Sequence, residues 1–430
     1  MVGRKLLFAV LILLSLASII FIKYQSKPTY LPSNIILPSS CTPQPPTLST
    51  THTIIGSTNH SLHGQALLPQ PNAFTCGVEN WQHHYSQFHL NTLQEIFTRK
   101  DSQRFLIYEC TTQCSGLGDR LVGLISAALL AVLTDRALLI HMPAPFPWSE
   151  VFVPNMIDWR MPQERGVPDF LQGLTTETLD VFCKFENGET RDLFAQHDLT
   201  GEWMKDVQVI KYIGNERFYH LMLENPKLIQ KLKALGMDRM DKFNLFACFF
   251  SFLFKPSPSL QLEMDRVYNE YFLWKENGTT GRNVMICLHL RTGVGLKEKI
   301  RMSPEQVAYY WKCAESIELS LKEQRQRVKW YLATDDDRLK KEVTDLLKGK
   351  VVALQSEAKH ISTNSLDKKD FLSIMTDWAL LTMCDHYVIS RSGFAETANM
   401  VAQKPRWKFP MDCKQPPRFE FYHPEQDSWG

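Results

Sequence analysis

The chain has 430 residues, 44% hydrophobic and 11% aromatic, enough to bury a large core and long enough for two domains. That composition excludes an intrinsically disordered chain. Its 48 Lys and Arg against 46 Asp and Glu leave a formal charge of +2, which excludes the basic excess that nucleic-acid phosphates demand.

At the N-terminus Arg4 and Lys5 precede an uncharged, largely apolar run over 6–22 that ends at Lys23. About 17 such residues just span a bilayer. A cleaved signal peptide is the competing reading, but Phe21-Ile22-Lys23-Tyr24 lacks the small residues of a cleavage site. The expectation is therefore an uncleaved transmembrane anchor over 6–22, with 1–5 cytoplasmic and the remainder in the lumen of the Golgi or endoplasmic reticulum. Residues 23–102 read as a stem or linker, because Pro28, Pro32, Pro38, Pro43, Pro45 and Pro46 break any helical or strand period. Asn59 and Asn277 head N-x-S/T sequons and are candidate glycosylation sites. Nine of the ten cysteines lie beyond residue 70, which in a lumenal chain predicts several disulfides and some buried thiols. Cys110 and Cys114 lack C-x-x-C spacing and fit a disulfide or core role better than zinc.

From residue 103 the pattern is strand (105–108), Gly-containing turn, buried helix (121–133) and strand (137–141), the βαβ signature of a helix-covered parallel sheet. Residues 103–275 form the expected first α/β domain, although 143–275 offers only candidate helices near 218–235 and 260–274. Residues 276–405 form the second. Strands at 284–290, 328–333, 351–354 and 387–389 alternate with helices beginning at a Ser303-Pro304-Glu305-Gln306 capping box, near Asp336, at Phe371 and near Phe394. Such a doubly wound domain binds ligands at the carboxyl ends of its strands. Residues 406–430 read as a C-terminal tail.

Four segments could carry chemistry. His289 and Arg291 share one face at the end of the 284–290 strand, two potential cations followed by the Gly293 and Gly295 loop. An Arg there can bind phosphate oxygens in bidentate fashion, the alternative being an Arg paired with a core carboxylate. Ser390, Arg391, Ser392, Gly393 and Phe394 run from the last strand into a helix whose N-terminus suits a diphosphate, while Ser392 could equally cap that helix. Asp335 and Asp337 form a D-x-D that could hold a metal ion, but acidic residues after Thr334 also suit a helix start. Gly116, Gly118, Asp119 and Arg120 form a Gly-rich turn at a helix start, suited to acceptor orientation or proton removal, with a structural role for Asp119 as the alternative.

Together these segments resemble the fucosyltransferase superfamily that includes protein O-, α1,6-, nodulation-type and plant xyloglucan fucosyltransferases. His289-Leu290-Arg291 looks like its donor motif, in which the Arg contacts the nucleotide diphosphate. Asp377 is similar to the Asp that recognises guanine, and Ser392-Gly393-Phe394 resembles its Ser-Ser-Phe phosphate segment, with Arg391 in place of the first Ser. Gly116-Leu117-Gly118-Asp119-Arg120 and Leu133 to Arg136 look most like the plant and nodulation-type members, which often carry Asn where Asp119 stands. The resemblance implies a GT-B fold of two facing Rossmann-like domains, GDP-fucose as donor, a glycan or glycoprotein acceptor, inversion at the anomeric carbon and no metal or other cofactor. A metal-dependent transferase using Asp335 and Asp337 and a non-catalytic nucleotide-sugar or glycan-binding protein are the rival readings.

Overall fold

The computed structural model describes residues 65–71, 76, 81–95, 103–111, 114–167, 170–294, 300–357, 359–361, 366–404, 406–408 and 420–422. The expected span at 6–22, Asn59 and Gly295 lie outside them, and no helix among the described residues is long and apolar enough to cross a membrane.

The first sheet comprises β1 (Phe105–Glu109), β2 (Ala137–His141), β4 (Thr176–Asp180) and β5 (Val209–Ile213), ordered β2-β1-β5-β4 and parallel throughout, while β3 (Phe152–Pro154) and β6 (Phe254–Pro256) make a separate antiparallel ribbon. The Leu117–Leu133 helix links β1 to β2 and buries every residue except Asp119. A helix apolar on all sides belongs in the core, so the one residue left out marks where the core ends and a cleft begins. Residues 143–275 resisted sequence reading for the same reason: the Lys242–Leu253 helix (KFNLFACFFSFL) is buried almost all round and shows no polar stripe, whereas β4 is exposed along most of its length. The helix expected near 218–235 is two, Phe218–Glu224 and Ile229–Ala234, parted at Asn225-Pro226. That expected over 260–274 ends at Val267 and passes through a π turn into a hairpin.

The hairpin, β7 (Leu273–Glu276) and β8 (Thr279–Arg282), turns at exposed Asn277 and Gly278, both with positive φ. Asn277 thus presents its sequon at a hairpin tip. The second sheet follows: β9 (Val284–Leu290), β10 (Val328–Thr334), β11 (Val351–Val352), β12 (His386–Ile389), β13 (Arg406–Lys408) and β14 (Glu420–Tyr422), ordered β11-β10-β9-β12-β13-β14, with only β14 antiparallel. Strand order reverses between β9 and β12, as it does between β1 and β5 in the first sheet. These are the switch points where doubly wound sheets open a crevice.

Three expected boundaries shift. The folded chain begins well before residue 103: the Trp81–Gln94 helix buries Trp81, Tyr85 and His89, the buried Ala66 donates its N–H to Asp265 at 2.5 Å, and Cys76 is disulfide-bonded to Cys248. The 406–430 tail contributes β13 and β14. The break at 275/276 separates the sheets but not the core, because the Gly393–Ala402 helix crosses back onto the Leu117–Leu133 and Lys242–Leu253 helices. Trp378 of the second domain is fully buried with Phe250 and Phe152 of the first at ring-centroid distances of 5.1 and 6.0 Å. The other disulfides among the described residues are Cys110–Cys114 and Cys287–Cys384, while Cys183 and Cys313 are not disulfide-bonded, which answers the Cys110/Cys114 alternative.

The Cys76–Cys248 bond closes a loop of sequence separation 172 and ties the segment before the first sheet to a core helix. Replacing both cysteines by Ser should cost about 2–5 kcal/mol, read as a melting temperature several degrees lower in thermal denaturation.

Candidate active site

The two switch points face one another across a cleft of about 490 Å³, which the Ser115–Asp119 loop lines from the first domain and the ends of β9 and β10 with the start of the Gly393–Ala402 helix line from the second. Backbone contact closes its base. A Cβ built on Gly118 would lie 2.1 Å from the carbonyl carbon of Gly393, so neither side chain nor shift is tolerated there. The N-termini of two helices therefore abut at one point, each contributing partial positive charge.

Ser392 occupies the N-cap position of the second helix but makes no side-chain cap bond, so the capping alternative fails and the first-turn N–H groups are left to a ligand. Phe394 stacks on His289 with centroids 5.7 Å apart and an interplanar angle of 27°. His289 is 6% exposed, and burial pushes its imidazole down to about 4. It is neutral near pH 7, so the expected pair of cations is one cation beside a neutral ring. Ser390, also buried, sits behind both residues: its hydroxyl accepts the Arg291 N–H at 2.8 Å and lies 3.4 Å from His289 Nδ1.

Asp335 fixes Arg291 more directly. Its Oδ1 accepts the Thr292 N–H (2.6 Å) and hydroxyl (3.0 Å), its Oδ2 accepts the Gly293 N–H (2.8 Å), and Oδ2 lies 3.4 Å from Arg291 Nη1. Gly293 has φ of +82°, a turn that glycine makes without strain. The side chain of Arg291 is 16% exposed and lines the cleft. This geometry corrects the D-x-D reading: Asp335 anchors the Arg291 loop, Asp336 caps the Asp337–Leu346 helix through the N–H groups of Arg338 and Leu339, and Asp337 pairs outside with Lys340 at 3.3 Å. Neighbouring carboxylates with three different partners do not converge on one ion.

On the opposite wall Asp119 is bipartite. Its Oδ2 accepts from the Ser115 hydroxyl at 2.5 Å and the Gly116 N–H at 3.3 Å, a structural role at helix position N3. Its Oδ1 faces Gly393, 3.4 Å from where a Cβ would stand. Deeper in, Asp377 accepts the Tyr331 hydroxyl at 2.5 Å, and burial pushes its carboxyl up to about 6 although that bond and nearby Lys340 act the other way.

The structure thus gathers Gly116, Gly118, Asp119, His289, Arg291, Asp377, Ser392, Gly393 and Phe394 in one cleft. Arg120 is not among them: it is turned inward, donating to the carbonyls of Ser115 (3.1 Å) and Ala144 (2.6 Å), and so braces the loop from beneath. Arg391 is exposed outside the cleft, and Gly293 and Ser390 act from behind it. Sequence reading missed Lys340, 4% exposed, whose ammonium donates to the Ser356 carbonyl at 2.8 Å, and His360, which approaches Gly116. It also missed the ion pair between Arg217 of the first domain and buried Glu396 of the second, 2.8 Å long. A helical Lys and a loop His carry no local pattern, and no periodicity announces a pair 179 positions apart.

Gly118→Ala should be severe. The methyl group has no room against backbone, and forced overpacking of this kind costs about 1–3 kcal/mol or more; a lower melting temperature and a disturbed nucleotide site in titration would show it.

Residues 86–197, which include the Gly116–Arg120 loop but not His289 or Arg291, match the family model of xyloglucan fucosyltransferase. No curated protein matches the chain. Among solved structures, an arginine-to-lysine mutant of Arabidopsis thaliana FUT1 in complex with GDP is similar at a TM-score of 0.56 and 14% identity, over 80% of this chain and 81% of that one. NodZ α-1,6-fucosyltransferase soaked with GDP-fucose aligns at 0.43 and 17% identity, over 75% of this chain and 99% of that one. POFUT1 in complex with GDP aligns at 0.37 and 11%, over 71% and 98%. In sequence over residues 86–197 and in fold over four fifths of its length, this chain is similar to the fucosyltransferases that its motifs resemble.

Proposed function

We propose that this chain transfers L-fucose from GDP-fucose to a hydroxyl of a glycan or glycoprotein acceptor, with inversion and without a metal ion. The observation that carries the reading is the coincidence, at one cleft between two switch points, of an uncapped helix N-terminus and the partly buried, carboxylate-anchored guanidinium of Arg291. A departing nucleoside diphosphate gathers negative charge, and preorganised donors at that place stabilise the transition state. In the proposed step the acceptor oxygen bonds to the anomeric carbon as the bond to the diphosphate breaks on the opposite face. The hydroxyl proton passes to Asp119 Oδ1, whose partner oxygen is held by Ser115 and Gly116. Neutral His289 and Phe394 form a rigid flank, and Asp377 accepts N–H donors of the guanine.

The remaining expectations join this proposal. Anchoring through 6–22 places the catalytic part in the Golgi or endoplasmic reticulum lumen, an assignment supported by three disulfides among the described residues and by the exposed sequon at Asn277. Asn277 and Asn59 would carry N-glycans.

Two measurements bear on the proposal. Arg291→Lys keeps the charge but loses the planar fork; kcat should fall about 10²–10³-fold while GDP still raises the melting temperature, unaffected by EDTA. Full turnover by a folded Arg291→Lys chain would remove Arg291 from its role. The second concerns Asp377, whose carboxyl is harder to ionise in the folded chain than in the unfolded one. The folded state binds the extra proton between about pH 4 and pH 6, so stability falls as pH rises through that window. Asp377→Asn should therefore gain in melting temperature over the parent chain at pH 7.5 relative to pH 4, yet bind GDP poorly. Unchanged GDP affinity would take Asp377 out of base recognition.

A further inference from the structure

A second cavity, about 620 Å³, opens at the carboxyl ends of β1 and β2 on the sheet face opposite the Leu117–Leu133 helix. Three polar groups from adjacent strands converge in it. Glu109 stands in register with His141 on β2, and Lys211 of β5 lies opposite Ile107, two residues earlier on the same face. The Glu109 carboxylate is 3.7 Å from His141 Nδ1 and 3.6 Å from Lys211 Nζ, beyond good hydrogen-bond length. Among the described residues no hydrogen bond reaches Glu109, His141 or Lys211 side chains. Trp148, 3% exposed, also lines the cavity, and its indole N–H is buried without an acceptor. A polar group as enclosed as the Trp148 N–H normally has a partner, whereas the Glu109, His141 and Lys211 side chains are 19%, 40% and 35% exposed and present their polar atoms to the cavity opening.

The polar groups offered are of both kinds: a carboxylate that accepts, and an ammonium and a buried indole N–H that donate. A hydroxyl group answers both, since it donates and accepts at once. A simple anion is disfavoured by Glu109, Glu150 and Glu164 in the same lining, and a simple cation by Lys211. The apolar remainder, with Ile107, Met142 and Trp159 in it, suits the C–H faces of a sugar ring.

Position relates this cavity to the first cleft. Glu109 precedes Cys110, the disulfide holds Cys110 and Cys114 at a Cα–Cα distance of 5.6 Å, and Ser115 of the first cleft follows. Two further Cα steps of 3.8 Å bring Glu109 to within at most about 13 Å of Ser115, inside the span of a short oligosaccharide. The rim at Glu150 is ion-paired at 2.7 Å with Lys368 of the second domain, which sets the cavity beside the domain junction. We infer that this cavity is a neutral-oligosaccharide subsite: it holds the non-reacting sugars of an acceptor whose reactive hydroxyl reaches the Asp119 loop. The link to an acceptor rests on the transferase reading above, whereas the cavity's affinity for sugars does not.

The test is calorimetric titration of the full chain with GDP, a xyloglucan nonasaccharide, a biantennary N-glycan and galactose alone, repeated on Glu109→Gln and Lys211→Met. The expected result is binding of an oligosaccharide but not of galactose, about 10-fold to 100-fold weaker in each variant, with GDP affinity unchanged. In turnover the variants should raise KM for the long acceptor and leave kcat alone. Unchanged oligosaccharide affinity in both variants, or no oligosaccharide binding by a parent chain that still binds GDP, overturns the subsite and leaves the donor reading standing. Variant-sensitive oligosaccharide binding without GDP binding supports the subsite and removes the donor reading. If Glu109→Gln also loses GDP affinity through misfolding, Lys211→Met carries the comparison.

Discussion

Everything in this molecule is organised around the backbone contact between Gly118 and Gly393, where the first-turn ends of two helices from different domains meet without side chains between them. That approach requires glycine at position 118, where a Cβ would stand 2.1 Å from the Gly393 carbonyl carbon, and it sets two partial positive charges together. The cost of such convergence is met by the packing behind it, since the Gly393–Ala402 helix is buried against the core helices of the first domain and Trp378 is enclosed by Phe152 and Phe250. Burying aromatics of this size contributes about 1.5–3 kcal/mol each. The cleft is therefore rigid where the contact closes it and open only towards its walls.

The electrostatics of the cleft follow from which groups are allowed to keep their charge. His289 is neutral because burial disfavours its cationic form. Arg291 is aimed by Asp335, which also gathers the Thr292 and Gly293 amides. A guanidinium directed by Asp335 beside a helix N-terminus makes a specific anion seat, and Arg301, Lys340 and Lys359 add positive charge to the same lining. The acidic groups are graded in turn: Asp377 is held near its ionisation point by burial, while Asp119 is divided between a structural and a cleft-facing oxygen.

Much of this was legible in the residues. Alternation at the end of β9 placed Arg291 at a strand's carboxyl end, the capping box at Ser303 located the following helix within a residue, and the Gly-rich turn marked the loop after β1. What could not be read has physical causes. A helix such as Lys242–Leu253, buried on nearly every side, erases the 3.6-residue period that identifies helices. The folded segment before residue 103 depends on a disulfide to Cys248 and a bond to Asp265, partners that no local pattern reveals. Arg120 beside Asp119 looked equally functional, yet only the burial of the helix around it decides that one points into the cleft and the other beneath it.

The central claim, that the meeting point of the two helices with Arg291 is a nucleoside diphosphate seat, is tested most directly by a crystal structure of the chain with GDP bound. The account predicts phosphate oxygens on the Gly393 and Phe394 amides and the Arg291 guanidinium, with the guanine beside Asp377. Diphosphate density elsewhere, for instance against Asp337 and a metal ion, or an Arg291 that stays on Asp335 without touching phosphate, would contradict it.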